Sequence, residues 1–533
     1  MKILLIYPKY PKTFWSYSDV LKIIDKKAIF PPLGLLTVAS MLPEEWEKKL
    51  VDCNVNDLTD ADLIWADMVF ISAMIVQKDN VYSILMRCSA LNKTVVVGGP
   101  LFSAIPQDFE DMGISHFVLN EAEITLPLFL KDLEEGKAKK MYHSSERPDL
   151  KNTPIPMWSL IDFNDYYSAL IQYSRGCPFN CEFCDIIVMN GRVPRTKSPK
   201  QIINELQAIY DLDFRGMVFF VDDNFIGNKK DTKLLLPKII EWQQERDYPF
   251  NFFTESSLNL SEDTELMELM SEANFTNVFL GIETPSYDSL KECGKFQNIK
   301  IDLVESIRTI QEHGMQVMGG FILGFDKDPE DIFDAMIEYI QKTGIVTAMV
   351  GLLTALPGTR LWHRLKEEGR LIPGCTGENT DVVTNINPLM GMENLVNGYI
   401  HVLKTIYNPK NYYKRIETLL DHLKLNPTVL NWDENTSNKK KKIQYGDSMM
   451  VLRIIWEIVI KSHNRFRFLR LLVRTLRKRP ELRYIAAELA IYGHHFEKNM
   501  KKVVKNKPNI NNLPIPQSIP SKNTLKPTEI LLV

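Results

Sequence analysis

The sequence predicts an α/β protein in three parts: a doubly wound parallel sheet, an open barrel of six βα units, and a helical C-terminal region. Three observations carry this. Short apolar runs of strand length alternate with amphipathic stretches of helical period, twice over, as sequential βα units require. Between Gly136 and Trp158 a polar connector with Pro148, Pro154 and Pro156 interrupts the alternation and marks a boundary. From about residue 374 the strand-like runs give way to helical spacing. A chain of 533 residues is in any case too long for one core. The expected units are 1–145, 165–372 and 374–500, with 504–533, rich in Asn, Lys and Pro, as a disordered tail.

Lys2–Tyr7 opens the first unit as a continuous apolar strand, the kind covered on both faces of a parallel sheet. Pro31 starts a helix running to Leu42, proline suiting its first turn. Further strands are expected at Lys49–Asp52, Met68–Ser72, Thr94–Gly98 and His116–Leu119. Ligands of doubly wound sheets sit beyond the carboxyl ends of the strands. Those ends hold Tyr7, Ser72 and the pair Gly98–Gly99, although a glycine pair alone reads equally as a tight turn. Glu121 and Glu123 follow the last of these strands, where the ordinary reading is an acidic helix start favoured by the helix dipole. His116 reads as packing or surface.

The second unit opens with the apolar run 169–174, and Cys177, Cys181 and Cys184 follow at once in Cys-x3-Cys-x2-Cys spacing. Iron–sulfur clusters are held by cysteine thiolates, normally four for a cubane. Here the loop supplies three, and Cys88 and Cys293 lie far away in sequence. One iron is then left open to another ligand, as in a reactive cluster. A structural zinc site needs four closed ligands, commonly two Cys-x2-Cys pairs, and no matching pair follows. Ser198 and Pro199 start a helix to Tyr210 with a capping serine and proline at its first position. Strands at 217–221, 251–254, 277–281, 317–323 and 348–353 complete six βα units, whose strand ends face one mouth, where barrel active sites collect. Asp222, Asp223, Glu255, Glu283 and Asp326 stand at or just beyond those ends. Any one of them reads as a helix cap; in register around one mouth they read as a site.

Helical spacing marks 394–407 and 412–420 of the third unit. Lys439–Lys442 reads as a solvated linker, and 449–460 is strongly apolar. Residues 465–479 alternate cationic and apolar side chains at helical intervals. Such a helix lies on an anionic membrane surface, or serves as a domain helix with its arginines in water. A net charge of −3 argues against a general nucleic-acid binder. Seven cysteines, three of them in one loop, do not make a disulfide framework and fit a reducing cytosol. The N-terminal apolar run stops at Pro8 without a signal-peptide cleavage site, and no run approaches the ~18–20 apolar residues of a membrane span. The expectation is a cytoplasmic protein, soluble or peripheral to the membrane.

The cysteine triplet is the hallmark of the radical S-adenosylmethionine (SAM) superfamily, which the chain resembles. The resemblance implies a 4Fe–4S cluster on Cys177, Cys181 and Cys184. Its open iron chelates SAM, and one electron cleaves SAM to methionine and a 5′-deoxyadenosyl radical. It also puts Asp222 and Asp223 near the SAM ammonium, Glu283 near the ribose, and the backbone of Phe183, Gly320 and Leu356 near adenine. Glu255 is left between SAM and substrate. The first unit resembles the Rossmann-like cobalamin-binding domain of one branch of the superfamily. There Gly98 and Gly99 let the backbone approach the cofactor's nucleotide tail, Ser72 lies near it, and Tyr7 and Glu121 are further cofactor-binding candidates. Branch members often show Gly-Glu-x-Glu where this chain has Asn120-Glu-Ala-Glu123. The Asp-x-His-x-x-Gly motif that gives cobalt a histidine is absent, since Cys53-Asn-Val-Asn-Asp57 follows Asp52. The lower face of cobalt is then expected to lack a histidine ligand.

The stretches 98–102, 120–127, 177–185, 221–228, 281–285 and 347–353 resemble a narrower group, cobalamin-dependent radical SAM proteins with a helical C-terminal extension, which includes the hopanoid C-2 methylases. This implies methylation of an unactivated carbon, and the amphipathic C-terminal region fits a lipid-like substrate. The adenosyl radical takes a hydrogen atom, methylcobalamin supplies the methyl group, and a second SAM remethylates cobalt. Such a carbon offers no acidic proton to a side-chain base, so the cofactors carry the hard step while the protein positions them. A low-potential electron donor such as flavodoxin or ferredoxin is implied. The alternatives are radical C–C bond formation or cyclisation without methyl transfer and, from a different class, a cobalamin or cluster sensor without turnover.

Overall fold

The computed structural model describes residues 1–372, 377–378, 380–425 and 463–505. The lysine run 439–442, the apolar stretch 449–460 and the tail from 506 lie outside the described residues.

The first sheet holds β1 (Lys2–Tyr7), β2 (Glu47–Asp52), β3 (Met68–Ser72), β4 (Thr94–Gly98), β5 (His116–Val118) and β6 (Met141–Tyr142). All pair in parallel in the order β2-β1-β3-β4-β5-β6. The order reverses between β1 and β3, the switch point beside which doubly wound sheets bind ligands. β1 is apolar throughout because its alternate side chains enter two cores. Ile3 and Leu5 pack with Leu35, Leu126 and Phe129, while Leu4 and Ile6 pack with Val81, Ile84 and Leu85. The connector does more than link: Met141–Tyr142 adds an edge strand to β5.

The second sheet consists of β7 (Ser168–Ile171), β10 (Gly216–Phe220), β11 (Phe250–Ser256), β12 (Phe275–Glu283), β13 (Gln316–Leu323) and β14 (Ala348–Leu352). They are parallel and in sequential order from β7 to β14. Between β7 and β10, β8 (Ser174–Arg175) and β9 (Arg195–Thr196) form a short antiparallel pair that brackets the cysteine loop. The apolar run expected to continue to Ser174 leaves the sheet at Ile171. The cause is Asp222, just past β10, whose carboxylate takes the backbone N–H groups of Tyr173 and Ser174. The helix Pro199–Asp211 starts as its sequence requires: Ser198 and Gln201 form a reciprocal capping box.

Sequential order leaves β14 as an edge, and helices cover it, which removes an aggregation-prone template. From Met392–Ile406, Tyr399 Oη donates to the carbonyls of Val350 and Thr380 at 3.1 and 2.9 Å. Just beyond that helix, Tyr407 Oη donates to Ala348 O at 2.7 Å. Pro409–His422 follows, and its buried Arg415 donates to Gln341 Oε1 at 2.7 Å and to the carbonyl of Ile406. The helix Arg483–Lys505 returns to the N-terminal segment, where Phe496 stacks on Phe14 and His495 on Tyr17, with ring centroids 4.6 and 5.1 Å apart. Among the described residues no helix is long and apolar enough to cross a membrane.

Candidate active site

The cysteine loop leaves β8 through Gly176 at φ +98°, a backbone conformation that favours glycine. A Cβ there would lie 3.0 Å from the carbonyls of both Gly191 and Val193. Cys181 is buried, and Cys177 and Cys184 are half-buried. Burial raises all three thiols, Cys184 to about 12. Cys177 raises Cys181 further, and both raise Cys184, while the Lys295 ammonium opposes the rise at Cys177 and Cys181. Iron binding requires thiolates, and three thiols on one loop beside a buried ammonium fit the donor set of a cluster with one open iron. Asn224 Nδ2 approaches Cys177 Sγ at 3.9 Å.

The loop is clamped from outside. Glu182 accepts from Arg364 Nε and Nη2 at 2.7 and 3.2 Å, and its own N–H donates to Cys293 O at 2.8 Å. Cys293, remote in sequence, is therefore a spatial neighbour of the loop, contrary to the sequence expectation. Its thiol is buried and donates to the carbonyl of Leu290. Cys88 is buried in the core of the first sheet.

The carboxylates at the barrel mouth divide by their partners. Asp222 is fully buried and accepts from Tyr173 N, Ser174 N and Ser174 Oγ. Burial dominates those bonds and pushes it up to about 7. Asp223 accepts from Gly176 N at 3.2 Å and Asn190 Nδ2 at 3.0 Å. Both thus hold the root of the cysteine loop. Glu283, at φ +67°, ends β12 in an ion pair with buried Lys295. Glu255, on β11, makes no side-chain hydrogen bond or ion pair among the described residues. Burial, then the charges of Asp223 and Asp222, push it up to about 8. Phe183 lies against Phe325, ring centroids 6.2 Å apart. Gly320 lies inside β13, where a Cβ would meet the Phe279 ring at 2.9 Å. Leu356 offers its carbonyl to Thr359 Oγ1 at 2.7 Å.

On the first sheet, Tyr7, Ser72, Gly98 and Gly99 gather at the carboxyl edge of β1, β3 and β4. Tyr7 Oη bonds Tyr10 Oη, and burial raises its proton affinity. Gly99 has φ +83°, and a Cβ there would collide with Ser72 Oγ; one on Gly98 would meet Val118 O at 2.7 Å. This side-chain-free edge at the switch point, with the Ser72 hydroxyl on it, fits the close approach of a large cofactor. His116 opens β5, at the opposite end of the sheet, with Nδ1 against the carbonyl of Lys139 at 2.6 Å.

Glu121 lies apart from that edge group in its bonding. Arg175 Nη1 reaches it at 2.8 Å, Arg195 Nη2 and Nη1 at 2.8 and 3.0 Å, and Arg147 at 3.4 Å. Arg175 also holds Glu123 at 2.7 and 3.0 Å, and Glu123 accepts from Thr153 Oγ1 at 2.9 Å. The acidic helix start is thus an ion-pair clamp from the first sheet to the residue two before Cys177. Sequence reading missed Arg175, Arg195 and Lys295 because their partners are remote in the chain. The available signal for Arg175 was its place beside the cysteine motif.

Family models match three segments: a B12 binding domain over residues 23–130, the radical SAM superfamily over 171–340, and a domain of unknown function (DUF4070) over 359–509. An uncharacterized methyltransferase of Synechocystis sp. is 42% identical over 497 residues, 93% of this chain and 91% of that one. The hopanoid C-2 methylase of Rhodopseudomonas palustris is 35% identical over 483 residues, 89% of each. Among solved structures, the cobalamin-dependent SAM radical enzyme OxsB, with aqua-cobalamin bound, superposes with a TM-score of 0.59 at 14% identity, covering 96% of this chain and 81% of OxsB. The radical SAM methyltransferase TsrM of Kitasatospora setae, with cobalamin and a [4Fe-4S] cluster, gives 0.56 at 16% identity over 70% of this chain and 76% of TsrM. The fold is thus shared with both. With a cluster, SAM and cobalamin as its cofactors, the chain belongs to the cobalamin-binding radical SAM methylases, the group that includes hopanoid C-2 methylase.

Proposed function

We propose that this enzyme methylates an unactivated carbon of an apolar, lipid-like molecule that it meets at a membrane surface. The observation that carries the methylation reading is the buried clamp of Glu121 and Glu123 on Arg175. It fixes the sheet that fits cobalamin against the loop that fits the cluster, as two cofactors serving one carbon require. When bound, the cluster and SAM supply hydrogen-atom abstraction and cobalamin supplies the methyl group. On this reading Cys177, Cys181 and Cys184 hold the cluster, and Asp222 and Asp223 fix the loop root. Glu255, whose carboxyl has no partner among the described residues, serves SAM or the substrate. Glu283 with Lys295, and the backbone of Phe183, Gly320 and Leu356, border the nucleoside. Gly98, Gly99 and Ser72 border the nucleotide tail of cobalamin, Tyr7 is a further contact, and Glu121 helps to hold that sheet in place.

The membrane reading rests on the helix Arg465–Lys478. Its inner face buries Phe468, Leu471 and Thr475. Phe466, Leu469, Val473 and Leu476, at spacing i, i+3, i+7, i+10, form one outward stripe that is exposed. Arg470 and Arg477 flank it without an anionic partner among the described residues. An exposed apolar stripe rimmed by cations suits an anionic bilayer surface. A low-potential flavodoxin or ferredoxin completes the set of partners.

Anaerobic incubation of cluster- and cobalamin-loaded protein with SAM, dithionite and membrane lipid extract tests the reading. The expected products are 5′-deoxyadenosine and a lipid in which one methyl group replaces a hydrogen, a gain of CH2, both abolished by Cys177→Ala, Cys181→Ala or Cys184→Ala. 5′-Deoxyadenosine with an altered but unmethylated product favours radical bond formation, and a cofactor-loaded protein that cleaves no SAM favours a sensor.

A further inference from the structure

A separate cavity lies at the other end of the barrel from the cysteine loop. Met217, Asn277 and Gln316, near the starts of β10, β12 and β13, form one side of it. The helix Ser18–Ile23 and the helix Arg483–Lys505 form the others. Its volume is about 90 Å³, and its mouth is open to solvent. Val20, Leu21, Ile24, Phe253 and Met318 make its surface largely apolar.

Beside the neutral polar groups Asn277, Gln316 and Thr347, the lining holds one ionisable carboxyl. Glu488 faces the cavity, and its carboxylate accepts from Tyr492 Oη, which shares a further hydrogen bond with Tyr167. It has no cationic partner among the described residues, and burial raises its proton affinity. Glu488 is half-buried, and burying a carboxyl even in part costs stability. If the cavity were only a packing defect, any apolar residue on this helix face would serve at lower cost. What the remaining carboxyl lone pairs lack is a donor, and the space in front of them accommodates one.

We infer that this cavity binds an apolar molecule carrying one hydroxyl or amino group, with Glu488 receiving the polar end and Val20, Leu21, Met217 and Met318 packing the hydrocarbon. The site is independent of the methylation reading, because it stands on strand starts and the candidate chemistry on strand ends. Its occupant bridges three elements that are distant in sequence: the N-terminal helix, the barrel and the last helix. Binding therefore also ties the two ends of the described chain to the barrel.

The test is fluorescence titration of the full-length, cluster-loaded protein with the uncharged probe N-phenyl-1-naphthylamine, displaced by decan-1-ol, decylamine or decanoate. Saturable binding is expected. The alcohol and amine should displace the probe at concentrations at least about tenfold below decanoate, the size of one hydrogen bond to a charged group. Ile24→Trp fills the cavity from its wall and should weaken probe binding by about tenfold or more, with cluster absorbance and unfolding midpoint unchanged. Glu488→Gln keeps the shape and should retain the probe while bringing decanoate to within about threefold of decanol. Absent saturation, binding undiminished in a folded Ile24→Trp, or a head-group preference that survives Glu488→Gln would each overturn the inference.

Discussion

Replacing Arg175 by methionine isolates the clamp between the two sheets. Arg175 is 15% exposed, and Glu121 and Glu123 are 7% and 8% exposed. Glu121 keeps Arg195 and Arg147 after the change, whereas Glu123 keeps the Thr153 hydroxyl and a backbone N–H but no cation among the described residues. Removing one member of a buried pair costs about 3–5 kcal/mol because the other charge is stranded. With one carboxylate stranded rather than two, about 3 kcal/mol is expected. Arg175→Met with Glu123→Met should recover most of this, since an apolar pair of similar volume is roughly neutral, leaving a coupling of about 2 kcal/mol in the double-mutant cycle. The pH dependence has a definite sign. Burial would raise Glu123, but hydrogen bonds and charge from Arg175 outweigh it and hold the carboxyl below its usual range. Its stabilisation is then present above the unfolded pKa and is lost as pH falls through the lower folded value. Parent and Arg175→Met should therefore differ most near neutrality and converge only as pH falls below about 4. Hydrogen exchange of the segment 174–185 reads the local opening directly. A loss below about 1 kcal/mol with unchanged exchange would class the pair with ordinary surface ion pairs and remove the clamp.

Three further outcomes follow from the site and the C-terminal helix. Glu255 is raised to about 8 in the folded protein, so the native state holds the extra proton and stability falls as pH rises between about 5 and 8. Glu255→Gln should flatten that slope in thermal unfolding, and SAM alone should shrink it if Glu255 serves SAM rather than substrate. Gly99→Ala sets a side chain at φ +83° against Ser72 Oγ, at a cost of about 1–3 kcal/mol; the unfolding midpoint and corrin absorbance should both drop, and Ser72→Ala should restore part of each. Exchanging Phe466, Leu469, Val473 and Leu476 for glutamine should abolish co-sedimentation with phosphatidylglycerol vesicles without lowering the unfolding midpoint. Equal sedimentation of parent and variant would place the contact elsewhere.

What the sequence disclosed and what it hid separate along one physical line, the distance over which a residue's role is decided. β1 is readable because alternate neighbours enter two cores, a property of six consecutive side chains. Ser198 with Gln201 is readable because a capping box closes within four residues. The cysteine triplet is readable because one loop carries the donor set. Roles fixed by remote partners are not readable. Asp222 reads as a helix cap or a SAM contact, yet it draws the chain off β7 through Tyr173 and Ser174, which lie on another βα unit. Glu121 reads as a helix start and becomes a clamp only when β8 and β9 bring Arg175 and Arg195 to it. Asn120 shows where the line is crossed. Its departure from Gly-Glu-x-Glu leaves the local backbone open, and the structure gives it φ +67°, a conformation that asparagine tolerates better than most residues. The requirement there was for a left-handed turn, which asparagine meets nearly as well as glycine. That turn sends Glu121 toward the cysteine loop, so a local substitution that keeps the turn also keeps the long-range clamp. Asn120→Val should break both together, raising exchange in 174–185 although the side chain at 120 bonds none of the arginines.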